Sequence, residues 1–170
     1  FMSITLPERH GDAARGRTIV AHLGSGASLC AMQGLQSVAT TMGFSALDGL
    51  MMGTRCGALD PGAVLYLMEI EKLSLEEVGH LLYHGSGLLG LSGVSSDPRV
   101  LLAQEAGNAR IAAALALYVR RIVREIGALV AVLGGNLPDR LKSYVLSVQG
   151  AISAAFLSFI LFTSNPFLRM

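Results

Sequence analysis

Thr18-Ile19-Val20-Ala21-His22-Leu23 is a β-branched, apolar run that stops at Gly24-Ser25-Gly26. Ala27 to Met32 reads as a second strand, turned at Gln33-Gly34, and Gln36 to Thr41 as a third. Turns this short between successive strands predict an antiparallel meander. Met42 to Leu59 then carries Gly43, Gly49, Gly53 and Gly57, a density that predicts a loop with unusual backbone angles. Helices follow. Asp60 caps one that opens on Pro61 and runs to about Glu71. Ser74-Leu75-Glu76-Glu77 is a capping box for a helix stopping near Gly85. Ser86 to Gly93 is glycine-punctuated again, and Asp97-Pro98 repeats the cap-then-proline signature. The longest helix starts at Asn108, with Ile111, Leu115, Tyr118, Ile122, Ile126, Leu129 and Leu133 on one face and Arg120, Arg121 and Arg124 opposite. Gly134-Gly135 ends it. Meander, glycine-rich loop, then helices make an α/β domain.

The 170 residues suit a single domain. Hydrophobic residues make up 52% and charged residues 15%, which excludes intrinsic disorder. A net charge of +1 leaves no electrostatic footprint for nucleic acid. So little charge over so apolar a chain implies surface buried against another domain or subunit, a homo-oligomer being one form of this. Cys30 and Cys56 form no metal-ligand spacing and read as reduced thiols of a cytoplasmic protein. The segment from Phe1 to Arg9 lacks the basic start and apolar run of a secretory leader.

Three regions differ in character. Residues 1–17 read as an irregular, arginine-rich lead-in, 18–135 as the globular domain, and 136–170 as an apolar tail of different composition. From Tyr144 to Phe162 nineteen residues carry no charge, the length of a membrane span. Ser147, Gln149, Gly150, Ser153 and Ser158 dilute the run, so a buried core helix, a membrane span and a disordered tail all stay open, membrane contact being the less favoured.

Three segments can carry chemistry. Gly24-Ser25-Gly26 follows a strand that delivers His22, and its backbone N–H groups can form an anion-binding concavity. The same residues also suit an ordinary hairpin turn with His22 packed beside it. Arg55, in Met52-Gly53-Thr54-Arg55-Cys56-Gly57, offers a planar fork to a phosphoryl group, or stands solvated on the surface. Ser95-Ser96-Asp97-Pro98-Arg99 opens a helix where backbone donors face outward, or simply caps it. His80 and His84 lie one helical turn apart without a third ligand at a motif spacing, and read as boundary histidines rather than a metal site.

Taken together these segments resemble the acetate and propionate kinase family. His22-Leu23-Gly24-Ser25-Gly26-Ala27-Ser28 is similar to the family's H-L-G-N-G-A-S, and Ser37-Val38-Ala39-Thr40-Thr41-Met42-Gly43-Phe44 to S-V-D-T-S-M-G-F. Gly49-Leu50-Met51-Met52-Gly53-Thr54-Arg55 repeats G-L-M-M-G-T-R. Ser86-Gly87-Leu88-Leu89-Gly90 and Ser95-Ser96-Asp97-Pro98-Arg99 resemble S-G-L-L-G and S-S-D-M-R. The resemblance implies part of an actin-like ATPase fold. It also implies a phosphotransferase with a carboxyl acceptor, taking ATP and acetate or propionate to ADP and the acyl phosphate, with Mg2+. His22, Leu23, Gly24, Ser25 and Gly26 would touch the nucleotide phosphates, Asp97, Pro98 and Arg99 the adenosine side, and Arg55 would stabilise the phosphoryl group in transfer.

Departures accompany the match. Ser25 stands for the family Asn, Ala39 for an Asp and Pro98 for a Met, weakening those contacts without erasing the site. The family's N-terminal motifs and magnesium ligands have no counterpart here, and after Gly135 the sequence leaves the family pattern. The expectation is a fragment of the family's C-terminal half with an unrelated tail, a truncated or frame-shifted copy impaired in isolation. The alternative is a non-catalytic nucleotide-binding or interaction module with a membrane-seeking tail.

Overall fold

The computed structural model describes residues 2–135 and the backbone of the strand 145–150. Its elements are α1 (Met2–His10), a 3-10 turn (Gly11–Arg15), β1 (Arg17–Leu23), β2 (Ala27–Gln33), β3 (Gln36–Thr40), α2 (Pro61–Glu69), α3 (Leu75–His84), α4 (Gly87–Ser92), α5 (Pro98–Ala103), α6 (Ala109–Val132) and β4 (Val145–Gly150). They fall into two compact units, residues 1–41 with 122–170 and residues 42–121.

In the first unit the sheet order is β3-β2-β1-β4. β1 pairs antiparallel with β2, Val20 opposite Cys30 and His22 opposite Ser28, and β2 pairs antiparallel with β3. The predicted meander is therefore present within a residue at each end. β1 is an inner strand, and Thr18 to Ala21 are buried without alternation, as expected where both faces of a strand are covered.

Two expectations are corrected here. The lead-in is not irregular: Met2–His10 is helical despite Pro7, which removes one intrahelical hydrogen bond. Tertiary burial holds it, since Leu6 is buried with Ala14, Val20 and Met32, and Met2 packs on the same cluster. Within the uncharged stretch 144–162, Val145–Gly150 is a β-strand rather than a helix or membrane span. It runs parallel to β1, Thr18 opposite Val145 and Leu23 opposite Gly150, so the β1 edge supplies its backbone partners. The rest of that stretch lies outside the described residues. Among the described residues no helix is long and apolar enough to cross a membrane.

The caps of the second unit form as the sequence implies. Asp60 accepts from the Gly62 amide, and Ser74 and Glu77 make a reciprocal capping box. The glycine-punctuated segment from Ser86 to Gly93 contains the short helix α4, ended by Gly93 at φ +70°. All seven apolar positions expected on this helix are buried, Leu133 lying just past the end of α6, while Arg120 and Arg124 are exposed. Asn108 Oδ1 accepts from the Ile111 amide at its start. At its end the Arg17 guanidinium donates to the Leu133 and Gly134 carbonyls, a cation at the negative end of the helix dipole.

Candidate functional site

In the first unit, Gly24 to Gly26 joins β1 to β2. The Gly24 amide donates to the Gly26 carbonyl at 3.0 Å, closing the turn. Leu23 is buried and anchors it, while Ser25 is exposed at the tip. His22 points to solvent and its imidazole lies over the turn: a Cβ added to Gly24 would stand 3.0 Å from Nε2. The imidazole and the Ser25 hydroxyl thus flank a short backbone turn that lacks side-chain cover at two of its three positions.

In the second unit, three of the motifs picked from the sequence interlock. The Met52–Arg55 loop is clasped by the start of α4: the Ser86 amide donates to the Thr54 carbonyl, Leu88 to Met52 and Leu89 to Gly53, at 2.9–3.0 Å. These carbonyls satisfy amides that the first turn of a helix leaves unpaired. Gly87, at φ +62°, lets the chains approach this closely, since a Cβ there would collide with the Met52 carbonyl oxygen. Thr54 Oγ1 donates to the Tyr83 carbonyl at 2.9 Å, and the Cys56 amide to Leu82 at 3.1 Å. Gly53 in turn lies against Ser96, whose carbonyl oxygen would stand 2.9 Å from an added Cβ. The loop bearing Arg55 and the Ser95–Arg99 segment are therefore neighbours.

Arg55 is half-buried. Its Nη1 donates to the Ala46 carbonyl at 3.1 Å and contacts Met52 Sδ, while Nε and Nη2 are left without a partner among the described residues. Asp97 caps α5, Oδ1 accepting from the Arg99 amide at 2.8 Å, and its carboxylate also pairs with the Arg99 guanidinium at 2.6 Å. These hydrogen bonds hold the Asp97 carboxyl below its ordinary value and push Arg99 up. Pro98 occupies the first turn of α5, where its missing N–H leaves nothing unpaired. His80 and His84 are exposed, their ring centroids 5.4 Å apart.

Sequence reasoning missed the clasp by Gly87 and the role of Arg110, whose guanidinium donates to the Leu91 and Gly90 carbonyls at the end of α4. Both join segments about twenty or more residues apart, and no local pattern announces them. No three His, Cys, Asp or Glu side chains among the described residues gather as a metal site. The described residues therefore offer no ready-made, all-protein Mg2+ site.

The sequence matches the Acetokinase family over residues 8–141, wider at both ends than the motif run from Thr18 to Gly135. It is 58% identical over 136 residues to an acetate kinase of Rhodopseudomonas palustris, covering 79% of this chain and 34% of that protein. It is 58% identical over 119 residues to an acetate kinase of Rickettsia felis, covering 70% and 30%. The crystal structure of Porphyromonas gingivalis acetate kinase superposes with a TM-score of 0.74 at 39% identity, over 79% of this chain and 34% of that one. The acetate kinase of Entamoeba histolytica superposes at 0.72 and 33% identity, over 78% and 35%. The chain thus spans about a third of the length of the relatives it matches. With its meander and helices superposing on part of an acetate kinase, the chain belongs to the acetokinase family.

Proposed function

We propose that this chain supplies the nucleotide-phosphate part of an acetate kinase site, acting on ATP with acetate or propionate. The observation that carries the reading is the interlocked Met52–Arg55, Ser86–Gly90 and Ser95–Arg99 cluster, in which Arg55 keeps donors without a partner among the described residues. In the reaction a carboxylate oxygen of the acceptor attacks the γ-phosphorus, the O–P bond to ADP breaks, and acyl phosphate and ADP result. Arg55 neutralises charge on the equatorial phosphoryl oxygens, which is the main demand of such a transfer. His22 and the turn from Leu23 through Gly24 and Ser25 to Gly26 contact the phosphates, with the Ser25 hydroxyl as donor. Asp97, Pro98 and Arg99 border the adenosine side. The reading carries a cytoplasmic location with it.

A polypeptide spanning about a third of an acetate kinase is expected to place its two substrates poorly, and effective molarity suffers accordingly. A hydroxamate assay for acetyl phosphate, with the 170-residue chain beside Arg55→Ala, tests this. Turnover near background is expected. Any turnover seen should fall about 10²–10³-fold in Arg55→Ala, and turnover indifferent to that change would remove Arg55 from the reading.

A further inference from the structure

A pocket of about 310 Å³ opens beside the Arg55 loop, lined by Met51, Cys56, Ser86, Leu91, Leu117 and Arg121 among others. Its apolar wall comes from Met51, Leu91 and Leu117, beside the bare backbone of Gly85, Gly87 and Gly90. No carboxylate lines it, and Arg121 is half-buried with no hydrogen bond or ion pair among the described residues. Arg124, by contrast, is already paired with Glu125 at 2.6 Å. The Ser86 hydroxyl donates to the Leu81 carbonyl and so keeps an acceptor face, not a donor, for any occupant. A guanidinium without a partner among the described residues, beside an apolar wall, is complementary to an organic anion with a hydrocarbon tail.

We propose that this pocket binds a monocarboxylate with a chain of about four to six carbons, its carboxylate on Arg121 and its chain against Met51, Leu91 and Leu117. The guanidinium fork matches a carboxylate in two parallel hydrogen bonds. The hydrocarbon part distinguishes this ligand from acetate, and the site does not rest on the acetate kinase reading. Because Cys56 lines the pocket, an occupant covers its thiol.

That thiol is the reporter. Burial is the main cause that raises its pKa, so alkylation is followed at mildly alkaline pH. The full chain carrying Cys30→Ser has Cys56 as its single thiol. Its rate of modification by N-ethylmaleimide is measured against hexanoate, acetate and hexanol at constant ionic strength. Hexanoate should slow labelling saturably, by roughly tenfold at saturation, with acetate and hexanol much weaker. Arg121→Met should weaken the hexanoate effect roughly tenfold, and Arg121→Lys should keep part of it, which guards against a mere folding defect. Labelling unaffected by hexanoate, slowed equally by acetate or hexanol, or protected equally in Arg121→Met would overturn the proposal.

Discussion

Gly87 is where one added methyl group would do most harm. Its φ of +62° is unfavourable for any L side chain, and its Cα faces the Met52 and Arg55 carbonyls. Gly87→Ala must therefore either twist the backbone or open the clasp. A loss of about 1–3 kcal/mol in the urea unfolding free energy is expected, together with weakened ATP binding through the displaced Arg55 loop. Asp97 and Glu77 make a different claim. Each carboxylate is held below its ordinary value, Asp97 mainly by the Arg99 side chain and Glu77 mainly by the Ser74 amide. A lowered folded-state pKa gives stability that is complete above the unfolded value and is lost as pH falls through the folded one. Amide protection at the starts of α3 and α5, corrected for intrinsic exchange, should therefore fall as the pH drops below about 4. Glu77→Gln should remove that dependence at α3 alone.

Among the elements, α6 carries the clearest energetic signature. Ile122 is fully buried on its apolar stripe and Arg120 is exposed on the other side. Ile122→Ala should cost about 2–5 kcal/mol and Arg120→Ala under about 0.5, both read from urea midpoints. This helix was legible from its period, and α2, α3 and α5 from their caps, because those signals are local. Arg55 and the Ser95–Arg99 segment were legible as motifs, but not as neighbours, since the contact of Gly53 with Ser96 joins residues far apart in sequence. α1 was hidden by Pro7 and a polar composition, being held by what Leu6 packs against. α4 was hidden by Gly87, Gly90 and Gly93. β4 was hidden because a short uncharged run has no period that separates a buried strand from a helix. Its assignment comes from the open edge of β1 beside it.

Across the whole molecule, the second unit carries α2 with no buried residue and with Leu65, Tyr66 and Met68 exposed. Leu59, Ile70 and Leu75 add exposed apolar side chains on either side of it in sequence. Apolar surface of this kind favours association, so binding is best measured at low protein concentration. The central claim is that the turn after β1 and the Arg55 loop serve nucleotide phosphates. Isothermal titration of the 170-residue chain with ATP, beside Gly24→Ala and Arg55→Ala, tests it most directly. An alanine at position 24 puts a methyl group on the turn and makes the His22 imidazole give way by a few tenths of an ångström, leaving the backbone near its present path. The account predicts weak but saturable ATP binding, reduced in both variants. No saturable binding, or binding unchanged by both substitutions, would contradict it.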